Sequence, residues 1–388
     1  MPFFGRHPWV FESAIESVAT PDGEEPGAGT PVELWTEKKE FVAHGLWNPQ
    51  SNIRIRLYSW DQQRPVSAEL LDERIKRAIA MRRSLFDLTS DKTGCRLVFS
   101  ESDGLSGVIV DNYGGFLIVQ FTSLALFQFK DAIVGTLKSA LQPRGIWMRT
   151  EKGMREVEGL DAVDGLVDGT APPRPLFIEE NRVQYGVDIQ EGQKTGCYLD
   201  QRDNRVVAAK YMKDAEVLDA FCFSGGFGIT AIKAGAKQVT CVDSSELALS
   251  MAAANADLNG VADRIEFRRS DVRKVLEELA EQGRTFDAVI LDPPKMARTR
   301  GGLQRAMKGY LRFNTLGVSV LKPGGILVTC SCSGHVTRAD FSQMVADVAR
   351  TTKRDIQILE QHGQPADHPV FATCPETEYL KMLVCRVS

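Results

Sequence analysis

Several things are missing from this sequence, and each absence narrows the reading. No apolar run approaches the roughly 20 residues that a membrane-crossing helix requires, so no membrane association is expected. The opening residues Met1-Pro2-Phe3-Phe4-Gly5-Arg6-His7 carry neither an apolar h-region nor a cleavage site, so no secretory signal is read there. The eight cysteines include no CxxC pair, so neither zinc nor an iron–sulfur cluster is signalled and no metal is expected. For a chain of 388 residues with no such signal, a reduced, cytoplasmic compartment is expected. No charge sign dominates either. A net charge of −4 is not a chain-wide nucleic-acid signature, so any contact with RNA requires a locally basic surface. Internal repeats and low-complexity tracts are also absent.

What is present divides into three parts. Residues 1–67 read as a β-rich unit, with strands at Val32–Trp35, Phe41–Trp47 and Ile53–Tyr58. The last alternates strictly and sets Arg54 and Arg56 on one face, either a solvated sheet face or a surface for RNA phosphate. Residues 68–188 read as an α+β unit. It holds a helix near 68–86, strands near 96–100, 107–111 and 116–121, a helix near 126–141 and a strand near 146–149. A hairpin over Leu176–Asp188 turns at Glu180-Asn181. Residues 189–388 alternate strand and helix, with strands near 217–221, 238–243, 264–268, 286–291, 324–331, 355–360 and 379–386. Such alternation predicts an α/β fold, a parallel sheet covered on both faces. Ligands in such folds bind beyond the carboxyl ends of the strands.

Those ends carry the chemistry. The first, Val217-Leu218-Asp219-Ala220-Phe221-Cys222-Phe223-Ser224-Gly225-Gly226-Phe227-Gly228, is a strand feeding a helix through a small-residue loop. Asp219, Phe221, Ser224, Gly225 and Gly226 are its candidate cofactor contacts. Gly226-x-Gly228-x-x-Ala231 also fits a dinucleotide fingerprint, so a nicotinamide enzyme competes at this point. The second end offers Asp243 and Ser244, the acid suited to ribose hydroxyls. The third offers Asp271 and Val272, placed to read an adenine edge or to cap a helix. Three acids at successive ends favour an adenosyl ligand. At the fourth end, Leu291-Asp292-Pro293-Pro294-Lys295, the prolines remove amide donors and fix a lip presenting carbonyls and a carboxylate, suited to an amino-bearing base.

The fifth end, Thr329-Cys330-Ser331-Cys332-Ser333-Gly334, brings two cysteines to the same crevice. The C5 carbon of a pyrimidine attacks a sulfonium methyl poorly until a thiolate adds at C6, which makes the ring an enamine. Cys332 is the candidate nucleophile and Cys330, deeper on the same strand face, the fallback. Positive charge at Lys295, Arg298 and Arg300 would favour the thiolate. Between Pro293 and Arg312 the basic residues Lys295, Arg298, Arg300, Arg305, Lys308 and Arg312 occur with no acid among them, and phosphate contact is expected there.

These segments, together with Gly192-Gln193-Lys194-Thr195-Gly196-Cys197-Tyr198-Leu199-Asp200-Gln201-Arg202 and the tail Ala366-Asp367-His368-Pro369, resemble the large-subunit ribosomal RNA cytosine-5 methyltransferases. The resemblance implies a PUA-like RNA-binding domain, whose opening motif Arg6-His7-Pro8-Trp9-Val10-Phe11 matches. It further implies a middle domain with an extended hairpin and a class I methyltransferase domain with a Rossmann-like seven-stranded sheet ending in an antiparallel strand. It makes S-adenosylmethionine the cofactor and ribosomal RNA the partner. Cys332 becomes the nucleophile and Asp292 a contact to the cytosine ring, and Tyr198, Gln201 and Arg202 flank the cofactor. Relatives carry a further strand's worth of residues before the Arg-His-Pro-Trp motif, so either the start is misplaced or the PUA-like unit is short of an edge strand. Lys295 stands where other cytosine-5 families place a second cysteine, and the base that removes the C5 proton is left unassigned.

The expected activity is methyl transfer to C5 of a cytosine in large-subunit ribosomal RNA, on a single-stranded or flipped-out base. A sister enzyme acting on a guanine nitrogen and a non-catalytic RNA-binding assembly factor are the competing readings. A homodimer is one open arrangement of partners.

Overall fold

The computed structural model describes residues 3–21, 23–150, 153–161, 164–189, 197–297 and 299–388. Of the expected features, residues 192–196 of the Lys-Thr-Gly segment and Arg298 lie outside the described residues. The chain folds as two compact units, the first made of Met1–Ile178, Val187–Leu199 and Ala366–Thr377, the second of Glu179–Gly186, Asp200–Pro365 and Glu378–Ser388.

The first unit holds two sheets. β1 (Trp9–Val10), β2 (Pro31–Trp35), β3 (Phe41–Trp47) and β4 (Ile55–Ser59) pair antiparallel in the order β1-β4-β3-β2. Val10, Val42, Ala43, Trp47, Ile55 and Leu57 form the core beneath them. All five residues of β4 are buried, so the alternating strand is covered on both faces. That overturns the expectation of an RNA-facing arginine pair. Arg56 is buried, and its guanidinium meets Glu158 at 2.9 Å, Glu101 at 3.2 Å and Ser106 Oγ at 3.0 Å. Arg54 pairs with Glu12 at 2.6 Å and lies over the Trp47 ring. Both charges are spent inside the fold.

After α1 (Ala68–Arg83), whose N-cap Ser67 accepts from Leu70 N, comes a mixed five-stranded sheet. β5 (Gly94–Phe99), β6 (Val108–Tyr113) and β7 (Phe116–Phe121) form a meander. α2 (Leu124–Phe127) and α3 (Lys130–Leu141), expected as one helix, lead to β8 (Gly145–Thr150), which is parallel to β7. α4 (Met154–Glu158) and the edge strand β9 (Gly165–Gly169) were not legible in the sequence. The tail excursion Ala366–Thr377 belongs to this unit and not with residues 189–388 as a block. Asp367 anchors it, its carboxylate accepting from Arg96 N and its carbonyl from Arg82 Nη2 at 2.7 Å.

The hairpin β10 (Leu176–Glu180) and β11 (Val183–Val187) turns through Asn181 and Arg182, both with left-handed backbone, the geometry that matches strand twist. The second unit then runs α5 (Arg202–Ala209), β12 (Glu216–Ala220), α6 (Gly226–Lys233), β13 (Gln238–Asp243), α7 (Glu246–Leu258), β14 (Ile265–Arg269) and α8 (Val272–Glu281). It continues with β15 (Phe286–Leu291), α9 (Leu303–Ser319), β16 (Leu321–Ser331), α10 (Arg338–Thr352), β17 (Ile356–His362) and β18 (Lys381–Val387). The sheet order is β14-β13-β12-β15-β16-β18-β17, parallel from β14 to β16, with β18 antiparallel to both its neighbours. The chain leaves β12 first to one side and then, at β15, to the other. That switch opens a crevice at the carboxyl ends of β12, β13 and β15.

Candidate active site

The loop after β12 is held by backbone alone on one side and by carboxylates on the other. Phe221 N and Cys222 N both donate to Val242 O, and Phe223 N donates to Asp243 Oδ2 at 3.0 Å. Phe221, Phe223 and Gly225 adopt left-handed φ of 67°, 47° and 79°. For phenylalanine this costs roughly 1–3 kcal/mol, a strain tolerated where the surroundings over-determine the loop. Phe221 gains an edge-on contact with Phe313 at 5.1 Å. Ser224 is buried, its carbonyl accepting from Asn255 Nδ2.

The glycines answer to protein packing. A Cβ on Gly226 would meet Arg205 Nε at 2.6 Å, and one on Gly228 would meet Cys241 Sγ at 2.9 Å. Arg205 is buried and paired with Glu180 at 2.6 Å, a counter-ion invisible in the sequence. The dinucleotide-like spacing therefore reflects what lies behind the loop.

Asp219 is buried beneath that loop, Oδ2 accepting from Gly228 N at 2.9 Å while Oδ1 has no hydrogen-bond partner among the described residues. Burial pushes its carboxyl up to about 7, against the Gly228 amide and with help from the charges of Asp292 and Asp243. Asp243 is half-buried and accepts Phe223 N and Ser245 N, one on each oxygen, which aims it across the loop. Ser244 is exposed beside it.

At the third end the structure shows the cap that the sequence left open. Asp271 caps α8 through Lys274 N at 3.1 Å, and Val272 is buried in the core with Leu218, Ala220 and Val242. The Val272 side chain packs in that core.

At the fourth end Asp292 is half-buried and its Oδ2 accepts from Gln201 Nε2 at 3.0 Å. Gln201 and Arg202 are both buried. Tyr198 is half-buried and falls in the first unit. Pro293 is buried, while Pro294 and Lys295 are exposed. The segment after the lip is tied to the turn after β16, because Ala297 N donates to Ser333 Oγ at 3.1 Å. Tyr310 OH joins Ser331 Oγ at 3.0 Å and Ser333 Oγ at 3.2 Å, so the turn that carries Cys332 is bracketed by a buried hydroxyl cluster.

Burial separates the two candidate thiols. Cys330 is fully buried, and desolvation with Asp292 nearby raises its thiol well above the ordinary range. Cys332 is the one cysteine of eight that is not buried. On α9 and the turn before it, Arg300, Arg305 and Lys308 are exposed without an acidic partner among the described residues, whereas Arg312 pairs with Glu277 at 2.9 Å. In the first unit, ligand atoms of His7, Cys374 and Glu376 approach within 4.8 Å, a trio already joined by the His7–Glu376 and Cys374–Glu376 hydrogen bonds.

Comparison with known proteins bears directly on this geometry. Residues 167–386 match the model of the S-adenosylmethionine-dependent methyltransferase family, and residues 3–60 match that of the PUA-like domain. Proteins named ribosomal RNA large subunit methyltransferase I are similar along the whole chain. That of Photobacterium profundum is 42% identical over 383 residues, 98% of this chain and 96% of its own. That of Shewanella denitrificans is 40% identical with the same coverage. The chain belongs to the ribosomal RNA large subunit methyltransferase I family. The fold of that family is seen in a Streptococcus mutans protein assigned as a SAM-dependent methyltransferase, at TM-score 0.84, 19% identity and 99% and 97% coverage of the two chains. A methyltransferase solved with S-adenosylhomocysteine aligns equally well, at 20% identity.

S-adenosylmethionine is thus the cofactor of this methyltransferase. The residues fit it: the loop keeps a left-handed path, Asp243 presents a half-buried carboxylate at its rim, and Asp219 keeps below it a buried oxygen unpartnered among the described residues. No helix among the described residues is long and apolar enough to cross a membrane.

Proposed function

We propose that this enzyme methylates C5 of a cytosine in large-subunit ribosomal RNA through a covalent adduct at Cys332. The observation that carries this reading is the placement of the single unburied cysteine on a turn tethered to the Asp292 lip. S-adenosylmethionine supplies the methyl group. The Cys332 thiolate adds to C6 of the base and converts the ring to an enamine, so that C5 becomes nucleophilic enough to take the methyl. Loss of the C5 proton then expels the thiolate. Asp292, held by Gln201, accepts from the exocyclic amino group and selects cytosine. The loop residues from Phe221 to Gly226, with Asp219, Asp243 and Ser244, hold the cofactor. The capping residue Asp271, Gln201 and Arg202 line the same crevice. Arg300, Arg305 and Lys308 take up RNA phosphates, Arg312 contributes less, and Lys295 borders the catalytic lip. The enzyme's working compartment is the cytoplasm, where the large subunit is assembled.

The test is product identity. Large-subunit RNA, both deproteinised and in partly assembled particles, is incubated with the enzyme and labelled methyl donor and digested to nucleosides. 5-Methylcytidine is the expected product; a methylated guanosine would replace this reading by the sister activity, and no labelled nucleoside by the assembly-factor reading.

A further inference from the structure

One atom reaches both chain neighbours of Cys332. The phenol oxygen of Tyr310, on α9, lies 3.0 Å from Ser331 Oγ and 3.2 Å from Ser333 Oγ, the residues immediately before and after the thiol. Ser331 donates to that oxygen, which leaves the phenol proton for Ser333. Burial raises the Tyr310 phenol above its ordinary range, so the proton is in place at neutral pH. All three residues are fully buried.

The turn is tied from other sides as well. Ser333 Oγ also accepts from Ala297 N at 3.1 Å, which joins it to the segment after the Asp292 lip. Ser333 N donates to Ser331 Oγ at 3.4 Å, and Lys381, opposite Ser331 in β18, donates to Ser333 O at 2.7 Å. The Tyr310 ring is itself held, edge-on against Phe341 of α10 with centroids 5.6 Å apart. Beside it α9 lies so close to the lip segment that a Cβ on Gly309 would meet Met296 Cε at 2.8 Å. A buried hydroxyl costs stability unless it is hydrogen-bonded, and a phenylalanine at 310 would fill the same space without that burden. What the hydroxyls add is direction. With both flanking side chains fixed to one atom, the backbone between them is held to one path, and with it the Cα–Cβ bond of Cys332.

We infer that Tyr310 is a positioning residue for methyl transfer: its hydroxyl fixes the turn Ser331-Cys332-Ser333 so that the sulfur meets C6 of the base in bonding geometry. In this role it touches no substrate and transfers no proton. The inference rests on Cys332 as the nucleophile.

The experiment compares full-length wild type with Tyr310→Phe in single-turnover methylation of large-subunit RNA at saturating S-adenosylmethionine. Misplacing a reacting atom by about 1 Å can cost roughly 100-fold in rate. Tyr310→Phe should therefore lower the single-turnover rate roughly 10- to 100-fold, with affinities for RNA and S-adenosylhomocysteine within about threefold of wild type. Alkylation of Cys332 by iodoacetamide against pH, read by mass spectrometry of the modified peptide, should keep the wild-type midpoint, because orientation and not ionisation is lost. A folded variant with the wild-type rate overturns the inference, as does a loss confined to affinity or a shifted thiol midpoint. Should Tyr310→Phe fail to bind S-adenosylhomocysteine, Ser331→Ala and Ser333→Ala each remove one arm of the tether, and wild-type rates in both overturn it. Methylation by Cys332→Ala would defeat the covalent reading itself, whereas an inactive Cys332→Ala beside an unimpaired Tyr310→Phe defeats this inference alone.

Discussion

Gln201 Nε2 donates to Asp292 Oδ2 at 3.0 Å, joining the start of a polar helix to a strand end 91 residues away. The amide has one orientation available, because Gln201 Oε1 accepts from Asn204 Nδ2 at 2.6 Å. Asn204 itself is buried, so Asp292 is braced by two side chains in series. Replacing Gln201 by Leu removes a hydrogen bond to a charged group, about 1.5–3 kcal/mol, or roughly 10- to 100-fold. That loss should appear in kcat/KM for RNA, with the affinity for S-adenosylhomocysteine changed much less. Steady-state kinetics with calorimetric binding separates the two effects.

Cys332→Ala should abolish methyl transfer while S-adenosylhomocysteine still binds within about threefold, since the substitution only removes a partly exposed sulfur. Cys330→Ala should retain the chemistry and lose stability by about 1 kcal/mol from a small cavity. Single-turnover assays and urea melts check the pair.

Asp219 makes stability depend on pH in a definite direction. Its carboxyl is raised from 3.8 to about 7, chiefly by burial, so between these values the folded chain holds a proton that the unfolded chain has released. Its contribution therefore falls as pH rises from about 4 to about 7, by at most roughly 4 kcal/mol, and is flat above. Asp219→Asn keeps an acceptor for Gly228 N but carries no charge. The variant should gain on wild type as pH rises from 5 to 7.5, read as the difference in urea midpoints.

Arg56→Met should destabilise the first unit by roughly 3–5 kcal/mol, because Glu101 and Glu158 would be left buried without their cation. RNA affinity of whatever remains folded should be unchanged. A drop in affinity without a drop in stability would restore Arg56 as an RNA contact.

Salt dependence reports on the basic strip. Arg300→Ala, Arg305→Ala and Lys308→Ala should each reduce the slope of log affinity for RNA against log salt by roughly 0.7. Arg312→Ala should change it less, since its guanidinium is already paired with Glu277 at 2.9 Å. Filter binding between low and moderate salt gives the slopes.

The seven-stranded sheet was legible because a buried parallel strand is written as a short apolar run, and five such runs ended on residues that could not be core. Asp219, Asp243, Asp292 and Cys332 stood out for that reason. Partnership was not legible. Arg54-x-Arg56 read as an open face by period two, yet the strand is buried along its length and Glu101 and Glu158, distant in sequence, neutralise Arg56. The pair Asp271-Val272 left a ligand edge and a helix cap open, and the tertiary contacts show the cap, with Val272 packed behind it.

The sequence by itself determined the alternation of strands and helices after residue 189 and the chemistry available at each strand end. These follow from local pattern, since hydrophobic period, glycine and proline act within a few residues. Only the tertiary structure decided which charges are free and which are spent. It placed Arg205 behind Gly226, left Cys332 alone unburied and set Lys381 against the turn that carries it. The physical reason is desolvation: a buried charge is governed by whatever partner the fold brings to it, and distance along the chain says nothing about that partner.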